Sequence, residues 1–250
     1  MGKGKVVVGH LLMAGAGAGA LAAWRWQRRW GATAAEQRRP LPGDDAVPVP
    51  GLQATRAIGI AAPPSAVWPW LAQIGADRAG FYSYDWLERR AGLDIRDADQ
   101  VRPEWQDLKA GDVVALAEGV GLRVAELAPQ QALVLVGGPG GPLPGVPDME
   151  FSWAFAMEPE GPTGTRLVVR ERYGWARWRT GALIKAVNWA SFVMSRAMLA
   201  GIRDRAERAW RDGAATALDE SDADHPADRP ADGREPGGAD GIGQNAGQNA

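Results

Sequence analysis

Alternating apolar and polar positions predict several β-strands in the middle of the chain. The clearest alternation lies in 149–158, where Phe151, Trp153, Phe155 and Met157 share one side. Because successive side chains of a strand point to opposite faces, this pattern predicts a half-buried antiparallel strand with a wide apolar inner surface. Weaker alternation or apolar runs predict further strands in the segments 54–62, 112–117, 122–127, 131–137 and 165–173.

Apolar residues spaced three and four apart predict helices on both sides of these strands. One helix begins after Pro63 and Pro64 and ends at Gly75, and a short one is expected in 83–92. A long helix is predicted over about 180–211, and its first two-thirds are apolar on nearly every side. A helix of that kind is buried or membranous, so we expect it to lie in the concave face of the sheet.

The segment 6–24 contains no charged residue and precedes the first strand. Its length is close to the roughly 20 residues with which a helix crosses the hydrocarbon core of a bilayer. Tryptophans and arginines cluster at its end, as they do at membrane interfaces: Trp24, Trp26, Trp30, Arg25, Arg28 and Arg29. Residues 1–30 are therefore predicted to form a single-pass membrane anchor. Gly15 and Gly19 have the spacing of close helix packing in lipid, which would suit a homodimer, but an Ala/Gly-rich segment also contains this spacing by chance, and the two interpretations stay open.

The same segment also fits a signal peptide, and this alternative stays open, whereas a dinucleotide-binding turn is excluded. Lys3, Lys5 and the run Ala20-Leu21-Ala22 also suit a signal peptide, and its cleavage would give a secreted domain. The excess of basic residues after the segment instead favours a cytoplasmic domain under the positive-inside rule. A dinucleotide-binding turn does not fit, because Ala20 occupies the place of the third glycine and no strand with an acidic residue follows.

Composition limits the chemistry that the domain can perform. The chain has 250 residues, no cysteine and two histidines, His10 and His225, both near the ends. A Ser-His-Asp triad, thiol catalysis and zinc bound by histidine or thiolate are therefore excluded in the middle of the chain. We expect no metal and no cofactor. Nucleic-acid binding is also not expected, because the basic residues follow an apolar segment and no nucleic-acid-binding motif accompanies them.

The segments beside the domain differ from it in composition and charge. Residues 31–53 are rich in proline and are predicted to form a semi-rigid spacer, although Thr33 and Glu36 have the spacing of a helix capping box. Residues 212–250 contain no aromatic residue and many aspartates, so we predict that they are disordered. These limits assign the folded domain to residues 54–211.

The inner faces of the predicted elements supply the candidate ligand-binding residues. The four apolar residues of the strand 149–158 are expected to face the long helix, where Trp189 and Met194 would complete an apolar wall. Such a wall suits a flexible hydrophobic ligand, because ligand pockets are mostly apolar with few polar groups. The same side chains would equally well fill a core.

Three polar residues are also candidate ligand-binding residues. Glu171 shares one side of its strand with Leu167 and Val169, so a buried carboxylate is expected there that needs a partner or a raised pKa. It is a candidate to orient a ligand or to act as a base, and a structural hydrogen bond is the competing interpretation. Tyr82 and Tyr84 lie where a loop enters the short helix and are expected at the mouth of a cavity.

Five stretches of the sequence, together with the order of the elements, resemble the START/Bet v 1-like superfamily called SRPBCC, which includes polyketide cyclase/dehydrase-like proteins. The stretches WGATAAEQRRPLPGD, APPSAVWPWLAQIG, RAGFYSYDWLERRAG, PEWQDLKAGD and MLAGIRDRAERA are similar to an uncharacterised actinobacterial-type branch. The resemblance implies an α+β helix-grip fold, in which an antiparallel sheet wraps around a long C-terminal helix. The predicted transmembrane helix would precede this fold.

The resemblance also implies a cavity between the sheet and the last helix. We expect a membrane-tethered domain that binds a hydrophobic small molecule or a lipid. One alternative is a cyclase- or hydratase-like enzyme acting on a polyketide-like substrate with Glu171, Tyr82 or Tyr84 as acid or base. Another is a structural domain whose own side chains fill the cavity. Binding is preferred to catalysis because no catalytic signature of the cyclases can be placed on this sequence.

Overall fold

The computed structural model describes residues 17–83, 97–137, 146 and 148–224. Within these residues six strands form one antiparallel sheet in the order β1-β6-β5-β4-β3-β2. The strands are β1 Leu52–Ile60, β2 Val113–Ala117, β3 Val120–Ala128, β4 Ala132–Gly137, β5 Met149–Glu160 and β6 Gly164–Trp175. Each strand predicted from the sequence is present, with its ends shifted by a few residues.

Four helices accompany the sheet in the described part of the chain. They are α1, whose described part covers 17–27, α2 Ala34–Arg38, α3 Pro64–Ala72 and α4 Trp178–Asp224. The short helix predicted over 83–92 falls almost wholly outside the described residues. Contacts divide the chain into two units, Met1–Gly213 and Ala214–Ala250, and the sheet belongs to the first.

The inner face of the sheet packs against α3 and α4. On the inner face, Phe155 and Leu167 pack in one core cluster with Leu199 and Ile202 of α4 and Leu71 of α3. Burial of this apolar surface is the main stabilising contribution to such a core. A six-stranded antiparallel sheet packed against a long C-terminal helix fits the helix-grip α+β fold.

The predicted membrane anchor is wrong. None of the helices in the described ranges is long and apolar enough to cross a membrane. The end of α1 packs against the domain instead, with the ring of Trp24 centred 6.1 Å from that of Trp189 and the ring of Trp26 centred 5.3 Å from that of Phe192. The tryptophans that suggested a lipid interface therefore contact protein.

The homodimer expected through the two small residues of that segment stays a prediction. Gly15 lies outside the described residues. Gly19 lies in α1, and a side chain added there would meet nothing within 4 Å.

The proline-rich segment after α1 lies on the outer face of the sheet rather than forming a free spacer. Arg170, on the outer side of β6, donates hydrogen bonds to the carbonyl oxygens of Glu36 at 2.6 Å and Arg39 at 3.0 Å, and to the Asp44 carboxylate at 2.6 Å. The carbonyl groups of a segment without regular structure need such donors. The outward arginines of β6 therefore bind the segment to the sheet.

The chain also extends the sheet at the outer edge of β1. The backbone N–H of Thr55 donates to the carbonyl of Arg28 at 2.7 Å, and that of Ala57 donates to the carbonyl of Trp30 at 3.1 Å. An exposed edge strand is open to pairing with other chains. Residues 28–30 cover that edge and hold the end of α1 beside it.

The predicted capping box begins α2. The Thr33 hydroxyl accepts from the backbone N–H of Glu36, and the Glu36 carboxylate accepts from that of Thr33. Glu36 also pairs with Arg166 of β6 at 2.7 Å. Hydrogen bonds from Arg166, followed by those of Thr33, lower the pKa of Glu36 to about 2 although partial burial opposes the shift.

Candidate functional site

A buried ion pair joins β1 to β6 on the inner face of the sheet. The Arg56 and Glu171 side chains are only 1% and 3% exposed, and their Nη1 and Oε1 atoms lie 2.6 Å apart. In the β1–β6 register, Ala54 lies opposite Glu171 and Val169 lies opposite Arg56, which sends both charged side chains to the same face. Each charge offsets part of the other's desolvation cost.

Hydroxyl groups occupy the remaining acceptor positions of Glu171. Tyr173 donates to Oε2 at 2.8 Å, Ser191 of α4 donates at 2.7 Å to Oε1, and Ser195 donates to Oε1 at 2.9 Å. An ionised carboxylate has about four acceptor sites. Burial, followed by the negative charge of Glu171, raises the pKa of Tyr173 well above its ordinary value, so the phenol stays a donor. Glu171 therefore fastens α4 to the sheet.

Arg56 extends these contacts to α1. Its Nε donates to the carbonyl of Gln27 at 3.2 Å and its Nη2 to the side-chain oxygen of Gln27 at 3.3 Å. Gln27 in turn donates to Asn188 of α4 at 2.7 Å. We call this set the polar cluster, and its members are Gln27, Arg56, Glu171, Tyr173, Asn188, Ser191 and Ser195.

An aromatic cluster lies on the inner face of β5. The ring of Trp153 is centred 4.8 Å from that of Phe155 and 6.3 Å from that of Phe81. Phe155 is fully buried, whereas Phe151 and Trp153 are only partly buried. The name aromatic cluster refers below to Trp70, Phe81, Phe151, Trp153 and Phe155, which belong to or pack against the same core.

Two indole groups of the aromatic cluster have no hydrogen-bond acceptor. The Nε1 atoms of Trp70 and Trp153 are buried, and no described atom accepts from either. Buried tryptophan N–H groups ordinarily find a partner, and leaving one unpaired costs about 1–3 kcal/mol. The aromatic cluster therefore holds two donors that no described residue uses.

Tyr82 has a structural position beside the aromatic cluster. Its hydroxyl donates to the carbonyl of Trp70 at 3.0 Å and accepts from Gln73 at 2.9 Å. Burial is the main cause that raises the pKa of Tyr82. Gly201 of α4 allows the close approach, because a side chain there would collide with the Tyr82 backbone. Tyr84 lies outside the described residues.

The structure distributes the other candidate residues over three environments. Met157 is buried in the core cluster with Phe155. Trp189 is 40% exposed and contacts Trp24 and Phe192 on the side of α4 that faces α1. Met194 is partly buried on another side of α4. The apolar residues of β5 thus lie together, while Trp189 lies apart from them.

Met194 belongs to an apolar stripe on α4. Val187 precedes it by seven residues and Leu183 by eleven, and Val187 is partly buried whereas Leu183 is exposed. Gly201 follows seven residues later on the same side, where it approaches Tyr82. The stripe therefore runs along the side of α4 that meets Tyr82 at Gly201.

Arg56 is the site residue that the sequence analysis missed as the partner of Glu171. A signal for it exists, because Arg56 shares its side of the strand with Ile58 and Ile60, as Glu171 does with Leu167 and Val169. A basic and an acidic residue on the apolar faces of two strands predict a buried pair if those strands are neighbours. Ser191 and Ser195, four residues apart on α4, gave no comparable signal.

The described part of the chain contains no group of three or more histidine, aspartate or glutamate side chains placed to hold a metal ion. The two clusters of the inner face differ in how many of their hydrogen-bonding groups have partners. Donors and acceptors of the polar cluster are engaged with one another, while the aromatic cluster combines apolar surface with two N–H donors that have no acceptor in the described ranges.

Comparisons with known proteins find only distant likenesses to solved structures. No protein-family model and no curated protein matches the chain. Similar solved structures come from Thermobifida fusca, Nitrosomonas europaea and Thermus thermophilus, with 14%, 12% and 19% identity. They cover 62%, 68% and 63% of this chain and 93%, 99% and 99% of their own, with TM-scores of 0.42, 0.41 and 0.36. Values this low carry no conclusion about function.

Proposed function

We propose that the chain is a binding domain for a hydrophobic small molecule, held between the aromatic cluster and α4. The observation that carries this proposal is the indole of Trp153, whose buried N–H has no acceptor among the described residues and whose side chain, like that of Phe151, is only partly buried. An apolar ligand with one acceptor oxygen would cover these side chains and pair with this donor.

The polar cluster narrows the class of ligand. Its carboxylate and guanidinium groups already bind protein partners, so they offer little to a charged ligand. The aromatic cluster offers apolar surface and neutral donors, the combination found in sites for apolar molecules with few polar groups. The expected ligand therefore has an apolar body and a carbonyl or hydroxyl group, and carries no charge at the buried end.

The apolar stripe of α4 gives this ligand a second wall. Leu183, Val187 and Met194 are incompletely buried although they are apolar. Single exposed apolar residues are common on surfaces, but a stripe at helical spacing on the helix that packs against the inner face suits ligand contact. No observation favours the cyclase-like alternative, since Glu171 and Tyr82 both bind protein groups.

A neutral fluorescent probe tests the proposal on the full chain. N-phenyl-1-naphthylamine is apolar and uncharged, so its fluorescence should rise as the chain takes it up. Met194→Arg places a charge in the stripe and should weaken the probe's Kd by about tenfold or more, equivalent to about 1.4 kcal/mol. Val193→Arg is the matched control, because Val193 is the exposed neighbour on another side of α4.

The outcomes decide the proposal. Loss of binding in Met194→Arg alone supports it, provided that circular dichroism shows both variants folded. Failure of the unaltered chain to take up the probe, together with native mass spectra free of adducts after exposure to a total lipid extract, would overturn it. Equal weakening by both arginine variants would also overturn it, because binding would then not depend on the stripe.

A further inference from the structure

A basic pocket of about 340 Å³ lies beside β1 on the outer face of the sheet, away from both inner-face clusters. The end of α1 supplies Arg25, Arg28 and Arg29, and the end of α2 supplies Arg38. The outward residues Gln53 and Thr55 of β1 line the same pocket. We call it the arginine pocket.

Backbone contacts fix the positions of these arginines. The carbonyl of Arg28 accepts from the N–H of Thr55 at 2.7 Å, which holds the end of α1 against β1. The guanidinium of Arg28 lies 5.3 Å from the ring centre of Trp24, which restricts its motion. The capping box at Thr33 and Glu36 positions α2, which ends at Arg38. The arginine pocket therefore has a fixed backbone frame, from which the partly buried Arg28 and the exposed Arg25, Arg29 and Arg38 project.

No described carboxylate neutralises the arginine pocket. The nearby acids are used elsewhere, because Glu36 pairs with Arg166 and Asp44 pairs with Arg170 and Arg172. None of the four pocket arginines takes part in an ion pair among the described residues. The pocket thus concentrates four positive charges in a chain whose net charge is −2.

The environment of Arg28 is unfavourable without a counter-ion. Its Nε is buried and has no hydrogen-bond partner among the residues that the structure describes. Burial, followed by the charges of Arg25 and Arg29, lowers the pKa of Arg28. The dipole at the C-terminus of α1 offsets about half an elementary charge, which leaves most of the positive potential in place.

We propose that the arginine pocket binds a small molecule through a phosphate group. Guanidinium groups match phosphate oxygens with paired hydrogen bonds, and several of them around one concavity suit a doubly charged oxyanion. The volume is at the lower end of the roughly 300–1,000 Å³ typical of small-molecule sites. A concave pocket on a chain with net negative charge favours a small anion over a nucleic-acid strand, which would also meet the acidic remainder of the surface.

Titration calorimetry on the full chain tests this assignment with glycerol 3-phosphate as the probe. Succinate is the comparison ligand, because it also carries about two negative charges near neutral pH but lacks a phosphate group. The pocket variant is Arg28→Gln/Arg38→Gln. The control is Arg123→Gln/Arg208→Gln, which removes the same charge from exposed positions outside the arginine pocket. A second pocket variant, Arg25→Gln/Arg29→Gln, alters exposed residues only and guards against misfolding.

The expected result is one binding site for glycerol 3-phosphate on the unaltered chain. The Kd for glycerol 3-phosphate should rise by about tenfold or more in either pocket variant and change by less than about twofold in the control. On the unaltered chain, the Kd for glycerol 3-phosphate should be well below the Kd for succinate. The proposal is overturned if no heat of binding appears at millimolar probe, if pocket and control variants weaken binding equally, or if succinate binds as tightly. This site lies across the sheet from the aromatic cluster, so these outcomes are independent of hydrophobic binding.

Discussion

The polar cluster and the aromatic cluster occupy the same inner face of the sheet but use their hydrogen-bonding groups in opposite ways. In the polar cluster, Glu171 accepts from Arg56, Tyr173 and both serines of α4. In the aromatic cluster, the indole N–H groups of Trp70 and Trp153 have no described acceptor. The difference indicates that one part of the face fastens α4 to the sheet, whereas the other leaves two indole donors without an acceptor among the described residues, and the proposed ligand site rests on these donors.

The largest expected effect comes from breaking the buried pair of the polar cluster. Arg56→Met removes the charge and leaves Glu171 buried without its cation. Removing one partner of a buried pair costs about 3–5 kcal/mol, because the remaining charge is uncompensated. Urea unfolding followed by circular dichroism should show that loss in the free energy of unfolding.

An exposed pair provides the control for this variant. Arg102 and Glu104 lie 3.6 Å apart with side chains that are 57% and 59% exposed. Arg102→Met should therefore cost less than about 1 kcal/mol, as is usual for surface pairs. If Arg56→Met were no more destabilising than Arg102→Met, the polar cluster would not be the fastening that the geometry indicates.

The sequence was sufficient to predict the strands and the long helix, because their periodic patterns are direct consequences of burial. It also placed Glu171 on an apolar face. Which cation reaches Glu171 depends on the pairing of β1 with β6, strands separated by more than one hundred residues. Pairing over such a distance leaves no local pattern in either strand.

The N-terminal segment shows where local composition misleads. An apolar stretch followed by tryptophans and arginines is consistent with a membrane interface and equally with a helix end packed on a domain. The contacts of Trp24 and Trp26 with α4 depend on residues more than 160 positions away. Likewise, Arg170 binds the proline-rich segment through backbone carbonyls, which every sequence possesses.

The candidate site was only partly predictable for a related reason. Alternation assigns Trp153 and Phe155 to one face, and the structure places both there. Alternation does not show that Phe155 is fully buried, or that the N–H of Trp153 has no acceptor among the described residues. Both features depend on the neighbouring residues of α3 and the loops. The nearly uniform apolar surface of α4 also left its rotation open, so Trp189 could not be assigned to a side.

A smaller effect is expected from removing one donor of the polar cluster. Tyr173→Phe keeps the ring and deletes the hydroxyl that donates to Glu171 at 2.8 Å. Because a hydrogen bond to a buried charge contributes about 1.5–3 kcal/mol, the free energy of unfolding should fall by about 2 kcal/mol. The measurement is the same urea titration. An unchanged free energy would mean that water or another donor replaces the phenol and that the polar cluster is less closed than its contacts indicate.

The smallest effect on stability is expected from the matching change in the aromatic cluster. Trp153→Phe deletes an N–H for which the described part of the chain supplies no acceptor, so the lost ring contacts are offset by relief of a buried unpaired donor. The free energy of unfolding should change by less than about 1 kcal/mol, well below the loss in Tyr173→Phe.

Ligand binding should instead be weakened more by Trp153→Phe than by Tyr173→Phe. The Trp153→Phe variant should still take up N-phenyl-1-naphthylamine, which needs no donor, but should bind a long-chain methyl ketone several-fold more weakly in competition with that probe. A loss above about 2 kcal/mol in the absence of ligand would show that Trp153 fills a closed core, because truncation of a well-packed core residue costs that much.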